Sequence, residues 1–216
     1  MIFTEQKPFD EILSILEGQE KLFLMGCGIC AATWGTGGRK EVEEMAARLS
    51  EAGKTCTDWL VTDEAACDAR IMRREVRRHK TAIEEADALL MLTCGAGAQT
   101  VAALVDKPVY PALNTLYLGR LQRLTISDQL CRLCGECVLA ETGGICPVTL
   151  CPKGLTNGPC GGYEAGKCEV DRSRDCAWVL IYRRMEALDQ LDRFRTIRPP
   201  KDYRRMLHPQ SIDKRA

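Results

Sequence analysis

The sequence predicts an α/β chain: a small Rossmann-like or flavodoxin-like parallel sheet with helices on both faces, followed by a cysteine-rich metal- or cluster-binding module, a helix and an extended tail. Three observations predict it. Strand-length apolar runs alternate with helical periodicity as far as Ala112. From Cys131 to Cys176, eight cysteines fall within 46 residues among glycine and proline, with little periodicity. Beyond them Trp178, Ile181, Tyr182, Met185, Leu188 and Leu191 form a helical stripe, ahead of a basic tail broken by Pro199-Pro200 and Pro209. The expected divisions are residues 1–120, 121–177 and 178–216, with the composition shifting between Gly119 and Ser127.

Taken in order, residues 8–18 read as an amphipathic helix on Phe9, Ile12, Leu13 and Leu16, stopped by Gly18. Lys21 to Met25 is a buried-type strand entering the turn Gly26-Cys27-Gly28-Ile29-Cys30, and Gly35, Gly37 and Gly38 delay the next helix to about Arg39–Ala52. A second strand covers Lys54 to Val61, and one long helix is expected from about Ala66 to Ala86. A third strand, Asp87 to Thr93, ends in Cys94-Gly95-Ala96-Gly97; a short helix and a strand at Lys107 to Ala112 close the pattern. Alternation of this kind means right-handed crossovers and a parallel sheet.

That topology carries a chemical expectation. Cys27 and Cys30 follow the first strand, Cys67 follows the second and Cys94 ends the third, so all four fall at the carboxyl edge, where open α/β sheets bind ligands. Strands about 4.8 Å apart let thiolates from neighbouring ends meet around one cofactor. Cys56, inside a strand, reads as a small core residue. The turn also imitates a dinucleotide fingerprint, Gly26-x-Gly28-x-x-Ala31, but that motif must open a helix at once, and Trp34, Gly35, Gly37 and Gly38 are expected to intervene. The basic residues Arg70, Arg73, Arg74, Arg77, Arg78 and Lys80 read first as a solvated helix face, and second as a docking patch for an acidic redox partner.

Composition narrows the function classes. Thirty basic and thirty acidic residues cancel, which argues against a dedicated nucleic-acid or membrane-surface binder. The N-terminus lacks the basic and apolar regions of a signal peptide, and the longest apolar runs are too short for membrane insertion. A cytoplasmic, reducing location is expected, where thirteen cysteines are metal ligands rather than disulfides.

The sharpest motif is Cys131-x2-Cys134-x2-Cys137, which sets three thiolates on one short loop. With a later Cys146-Pro147 this is the loop grammar of [4Fe–4S] ferredoxins, although eight residues rather than three separate Cys137 from the Cys-Pro step. Zinc competes, since four-cysteine zinc sites also begin with C-x2-C. Three ligands at i, i+3 and i+6 favour the cube-shaped cluster.

With Gly143-Gly-Ile-Cys-Pro147, Cys151-Pro-Lys-Gly154, Asn157-Gly-Pro-Cys-Gly-Gly162, Lys167-Cys-Glu-Val170 and Cys176-Ala-Trp-Val-Leu-Ile-Tyr182, this string resembles the methylenetetrahydrofolate reductase C-terminal family. Gly26-Cys-Gly-Ile-Cys30, Cys94-Gly-Ala-Gly97 and Pro111-Ala-Leu-Asn-Thr115 are similar to its small stand-alone form in acetogenic bacteria, the iron–sulfur subunit of a two-subunit reductase. The resemblance implies a TIM-barrel partner subunit that holds FMN and reduces methylene- to methyl-tetrahydrofolate in the Wood–Ljungdahl pathway. It implies that this chain carries no flavin or folate and relays electrons to that FMN through two or three [4Fe–4S] clusters, from ferredoxin or a further redox subunit. The expected ligands are Cys27, Cys30, Cys67 and Cys94 for one site and Cys131, Cys134 and Cys137 for a second. Cys146, Cys151, Cys160, Cys168 and Cys176 supply the missing fourth ligand and leave room for a third site, open to zinc. The rival readings are a zinc-stabilised scaffold without a redox role, and an enzyme in its own right, for which only His79 and His208 offer imidazole bases.

Overall fold

The computed structural model of the chain describes residues 1–214; Arg215 and Ala216, the end of the expected extended tail, lie outside the described residues. The chain divides into two compact units between Asp128 and Gln129.

The first unit is built on four parallel strands, β2 (Lys21–Cys27), β3 (Thr55–Thr62), β4 (Ala88–Leu92) and β5 (Val109–Pro111), in the order β3-β2-β4-β5. β2 and β4 are buried nearly throughout because both their faces are covered. Residue parity sorts the core into two layers. Phe23, Met25, Leu89 and Met91 pack with Met72, Ile83 and Val101 on one face, while Leu22, Leu24, Leu90 and Leu92 pack with Ile12, Leu16, Val42, Met45 and Leu49 on the other. The second face is covered by α1 (Phe9–Ile15) and α3 (Arg39–Glu51), and the first by α4 (Ala69–Arg78), α5 (Lys80–Glu85) and α6 (Gly95–Ala102). This is the doubly covered parallel sheet that the alternation predicts.

Three local expectations are corrected. The long helix expected over Ala66–Ala86 is two helices, starting at the Asp68 carboxylate, which accepts the Arg70 N–H at 2.9 Å, and broken at His79. The His79 ring Nδ1 lies 3.0 Å from the Glu75 carbonyl and the ring packs 5.8 Å from that of Phe23, so the residue seals the break against the core. A helix does open directly after the glycine turn: α2 (Cys30–Trp34), only five residues long and ended by Gly35 at φ 72°. A second sheet, not anticipated, joins β1 (Ile2–Gln6), β6 (Leu113–Arg123) and β7 (Ile126–Cys131) in the order β1-β6-β7, with β1 and β6 antiparallel. Buried Phe3 fastens β1 to α2 through an edge-on contact with Trp34, centroids 4.9 Å apart, and the Thr4 and Thr36 hydroxyls share a buried hydrogen bond of 2.7 Å.

The second unit has little regular structure. It holds α7 (Pro147–Leu150), α8 (Ala177–Ala187) and 3-10 turns at Leu139–Glu141, Leu191–Arg195 and Tyr203–Met206. Its core is small: Cys176, Trp178, Ile181 and Met185, with Ile145, Leu155, Val179, Leu191 and Phe194 partly buried around them. The α8 stripe is therefore packing surface within its own unit, anchored by the Trp178 indole N–H donating to the Leu155 carbonyl at 3.0 Å. The tail runs extended between its two 3-10 turns and is tied to the same unit. Asn157 brackets Arg198, its amide donating to the Arg198 carbonyl at 3.0 Å and its oxygen accepting the Arg198 N–H at 2.9 Å.

Candidate metal centres

At the carboxyl edge of the parallel sheet, Cys27 ends β2, Cys30 opens α2, Cys67 lies five residues past β3, and Cys94 caps α6 immediately after β4. The strand order reverses between β2 and β4, so the ends carrying Cys27 and Cys94 flank the topological switch point. The Cys67 sulfur lies within electrostatic reach of the other three. Burial pushes the Cys67 thiol above its ordinary pKa, and Cys94, then Cys27 and Cys30, push it further. A Cys67 thiol whose ionisation is opposed by its three neighbours is one that a bound cation or iron–sulfur cluster would relieve.

The backbone around this edge is too tight for side chains. A Cβ on Gly37 would stand 1.9 Å from the Leu92 carbonyl oxygen, and one on Gly26 2.5 Å from the Gly37 oxygen. The Cys27 N–H donates to the Gly37 carbonyl at 3.0 Å and the Gly28 N–H to the Thr62 carbonyl at 2.7 Å. These amides are consumed within the fold and do not point at a pyrophosphate, so the glycines serve close packing rather than dinucleotide binding.

The antiparallel sheet closes over this edge. The Ile2 N–H approaches the Cys30 sulfur at 3.5 Å, and the Thr115 hydroxyl accepts the Gly95 N–H at 2.8 Å beside Cys94. Sequence reasoning assigned neither residue to the site. Thr115 stands in the string Pro111-Ala-Leu-Asn-Thr115 without a role, and the five residues of Ile2–Gln6, with Phe3 and Thr4 buried in succession, carry no alternation that marks a strand.

In the second unit, Leu133 and Gly135 adopt positive φ (56° and 74°), which curls Cys131-x2-Cys134-x2-Cys137 into a compact loop. The Leu133 N–H donates to the Cys131 sulfur at 3.3 Å, the amide-to-sulfur contact expected of a loop shaped around thiolates. Tail residues strap this loop: the Glu136 carboxylate accepts the Asp202 N–H at 3.2 Å and lies 3.6 Å from the buried Lys201 ammonium. Cys146 caps α7 and accepts the Thr149 hydroxyl at 3.5 Å. Cys151, Cys160, Cys168 and Cys176 line one small cavity together.

All thirteen cysteines are free thiols. Among the described residues, no group of three or more His, Cys, Asp or Glu side chains already stands in metal-binding geometry. Cys56 is apart from both regions: it is half-buried in β3, packs on the core and donates to the Asp58 carbonyl at 3.3 Å, with burial raising its pKa. The arginines Arg70, Arg73, Arg74, Arg77 and Arg78 line an open concavity on α4. Arg70, Arg74 and Arg78 are engaged by Asp68, Glu64 and Glu75 at 2.7 to 3.2 Å.

Among the described residues no helix is long and apolar enough to cross a membrane. No curated protein and no solved structure matches the chain. The family model described as "Methylene-tetrahydrofolate reductase C terminal" matches residues 110–204, just under half of the chain. The match spans the Cys131 loop, the Cys151–Cys176 cavity and α8, and it agrees with the motif string that resembles the same family: over residues 110–204 the chain is similar to the methylene-tetrahydrofolate reductase C-terminal family.

Proposed function

We propose that this chain is the electron-transfer subunit of a methylenetetrahydrofolate reductase complex, binding the FMN-bearing TIM-barrel subunit and delivering to it the electrons that reduce methylene- to methyl-tetrahydrofolate. Ferredoxin or a further redox subunit is the donor, in a reducing cytoplasm and as part of the Wood–Ljungdahl pathway. The observation that carries the reading is the convergence of Cys27, Cys30, Cys67 and Cys94 on the switch point of the sheet, in a chain whose other half matches the reductase family.

Bound by these thiols, a [4Fe–4S] cluster supplies one-electron transfer at low potential. The chain's own residues do the rest. Cys94 sets one ligand at the partially positive end of α6. β1 supplies an amide to the Cys30 sulfur, and the Leu133 amide does the same for Cys131, contacts that tune a cluster's potential. The second cluster belongs to Cys131, Cys134 and Cys137, completed by one later cysteine.

The test is anaerobic mixing of the dithionite-reduced chain, freed of excess reductant, with the oxidised FMN-bearing subunit. The expected result is flavin bleaching matched by reoxidation of the chain's visible absorption, slowed at least about tenfold by Cys134→Ser. A colourless chain that holds only zinc, or flavin reduction that proceeds equally without the chain, overturns the reading in favour of a scaffold.

A further inference from the structure

The cavity lined by Cys151, Cys160, Cys168 and Cys176 groups four of the five thiols whose partners the sequence leaves open. We propose that these four form a closed site for a single tetrahedral zinc ion that staples the C-terminal unit, separate from the two cluster sites.

Three observations carry it. The first is the donor set. Four cysteines and no histidine ring the cavity, and four thiolates around a divalent ion are the composition of structural zinc sites. The second is size. The cavity measures about 20 Å³, enough for one water-sized occupant, which suits a single ion. The third is the backbone between the ligands. Gly154, Gly158, Gly161 and Gly166 turn at positive φ between the four cysteines. The Cys168 N–H donates to the Arg174 carbonyl at 3.0 Å and the Cys176 N–H to the Gly166 carbonyl at 2.8 Å, which holds two ligands on paired segments. Isolated bridges from Lys167 to Glu164 and Asp175 fasten the same segments.

Binding replaces four thiol protons by one Zn²⁺ and leaves a centre of net charge −2. Lys153, on the cavity wall and paired with Glu169, is the adjacent cation. With this quartet assigned and Cys56 excluded, Cys146 is the thiol left for the fourth ligand of the Cys131-Cys134-Cys137 loop. That second assignment rests on the proposed electron-transfer function; the zinc site does not.

The test is metal analysis and zinc absorption spectroscopy on the full-length chain purified without oxygen. About one zinc per chain in an all-sulfur shell at about 2.3 Å is expected. Cys160→Ser combined with Cys168→Ser should cut zinc content at least about tenfold, whereas Cys134→Ser should lower iron and leave zinc in place. Spectroscopy on the unmodified chain keeps the test valid if the double variant fails to fold. Absence of zinc, nitrogen or oxygen in its first shell, or zinc retained by the double variant overturns the inference. Iron without zinc sinks this site and spares the electron-transfer reading; zinc without iron does the reverse.

Discussion

At the carboxyl edge of the parallel sheet, the cysteines sit on a scaffold that folds without them. Phe23, Leu24, Leu89 and Leu90 are fully buried between two helical layers, and of Cys27, Cys30, Cys67 and Cys94 only Cys27 joins the core. In the C-terminal unit the order is reversed: the buried cluster has four members, one of them the proposed ligand Cys176, and long stretches between the thiols have no regular structure. A fixed scaffold can tune an occupant by the amides it directs at sulfur. A metal-organised loop region instead uses its occupant as core. The first arrangement suits a redox centre, the second a staple.

Removing metal should separate the two regions most sharply. Chelation of the purified chain is expected to erase amide-exchange protection across α8 and leave β2 and β4 protected, because structural zinc binding contributes on the order of 10 kcal/mol. Equal loss in both regions would break the contrast. Next in size, Leu90→Ala should cost about 3 to 5 kcal/mol in the first unit, read by denaturant titration, with zinc content unchanged. Gly37→Ala should cost at least about 1 to 3 kcal/mol, since its Cβ would meet the Leu92 carbonyl at 1.9 Å; it should deplete the iron bound at the sheet edge and spare that bound by the Cys131 loop.

The smallest effect is electrostatic. The Asp87 carboxylate accepts the N–H groups of Lys21 at 2.7 Å and Glu20 at 2.9 Å, and these bonds hold its pKa below the ordinary carboxylate range. Its folded pKa is depressed, so the stabilisation is complete above the unfolded value and is lost as pH falls through the folded one. Asp87→Asn should therefore lower the neutral plateau of the first unit's stability profile slightly, leave the acid extreme nearly unchanged, and so flatten the acid limb below about pH 4. An unaltered acid limb would count against the role given to those two bonds.

What was legible follows from the same contrast. β2 and β4 are buried on both faces, so they read as continuous apolar runs, and their crossover helices carry clear periodicity. β6 alternates irregularly and is mostly half-exposed, so nothing in Leu113–Arg123 distinguishes it from a loop. The break at His79 was hidden because Met72, Val76 and Ile83 keep helical spacing across it. The Cys131 loop announced itself by its C-x2-C steps. Cys151, Cys160, Cys168 and Cys176 have no such spacing; glycine turns and backbone pairing bring them together, and that convergence is invisible in one dimension.

Iron and acid-labile sulfide in the anaerobically purified chain test the central claim most directly. Two clusters predict about eight of each per chain, accompanied by visible absorption that bleaches on reduction. Iron and sulfide both absent, with thiols occupied by zinc alone, would contradict it.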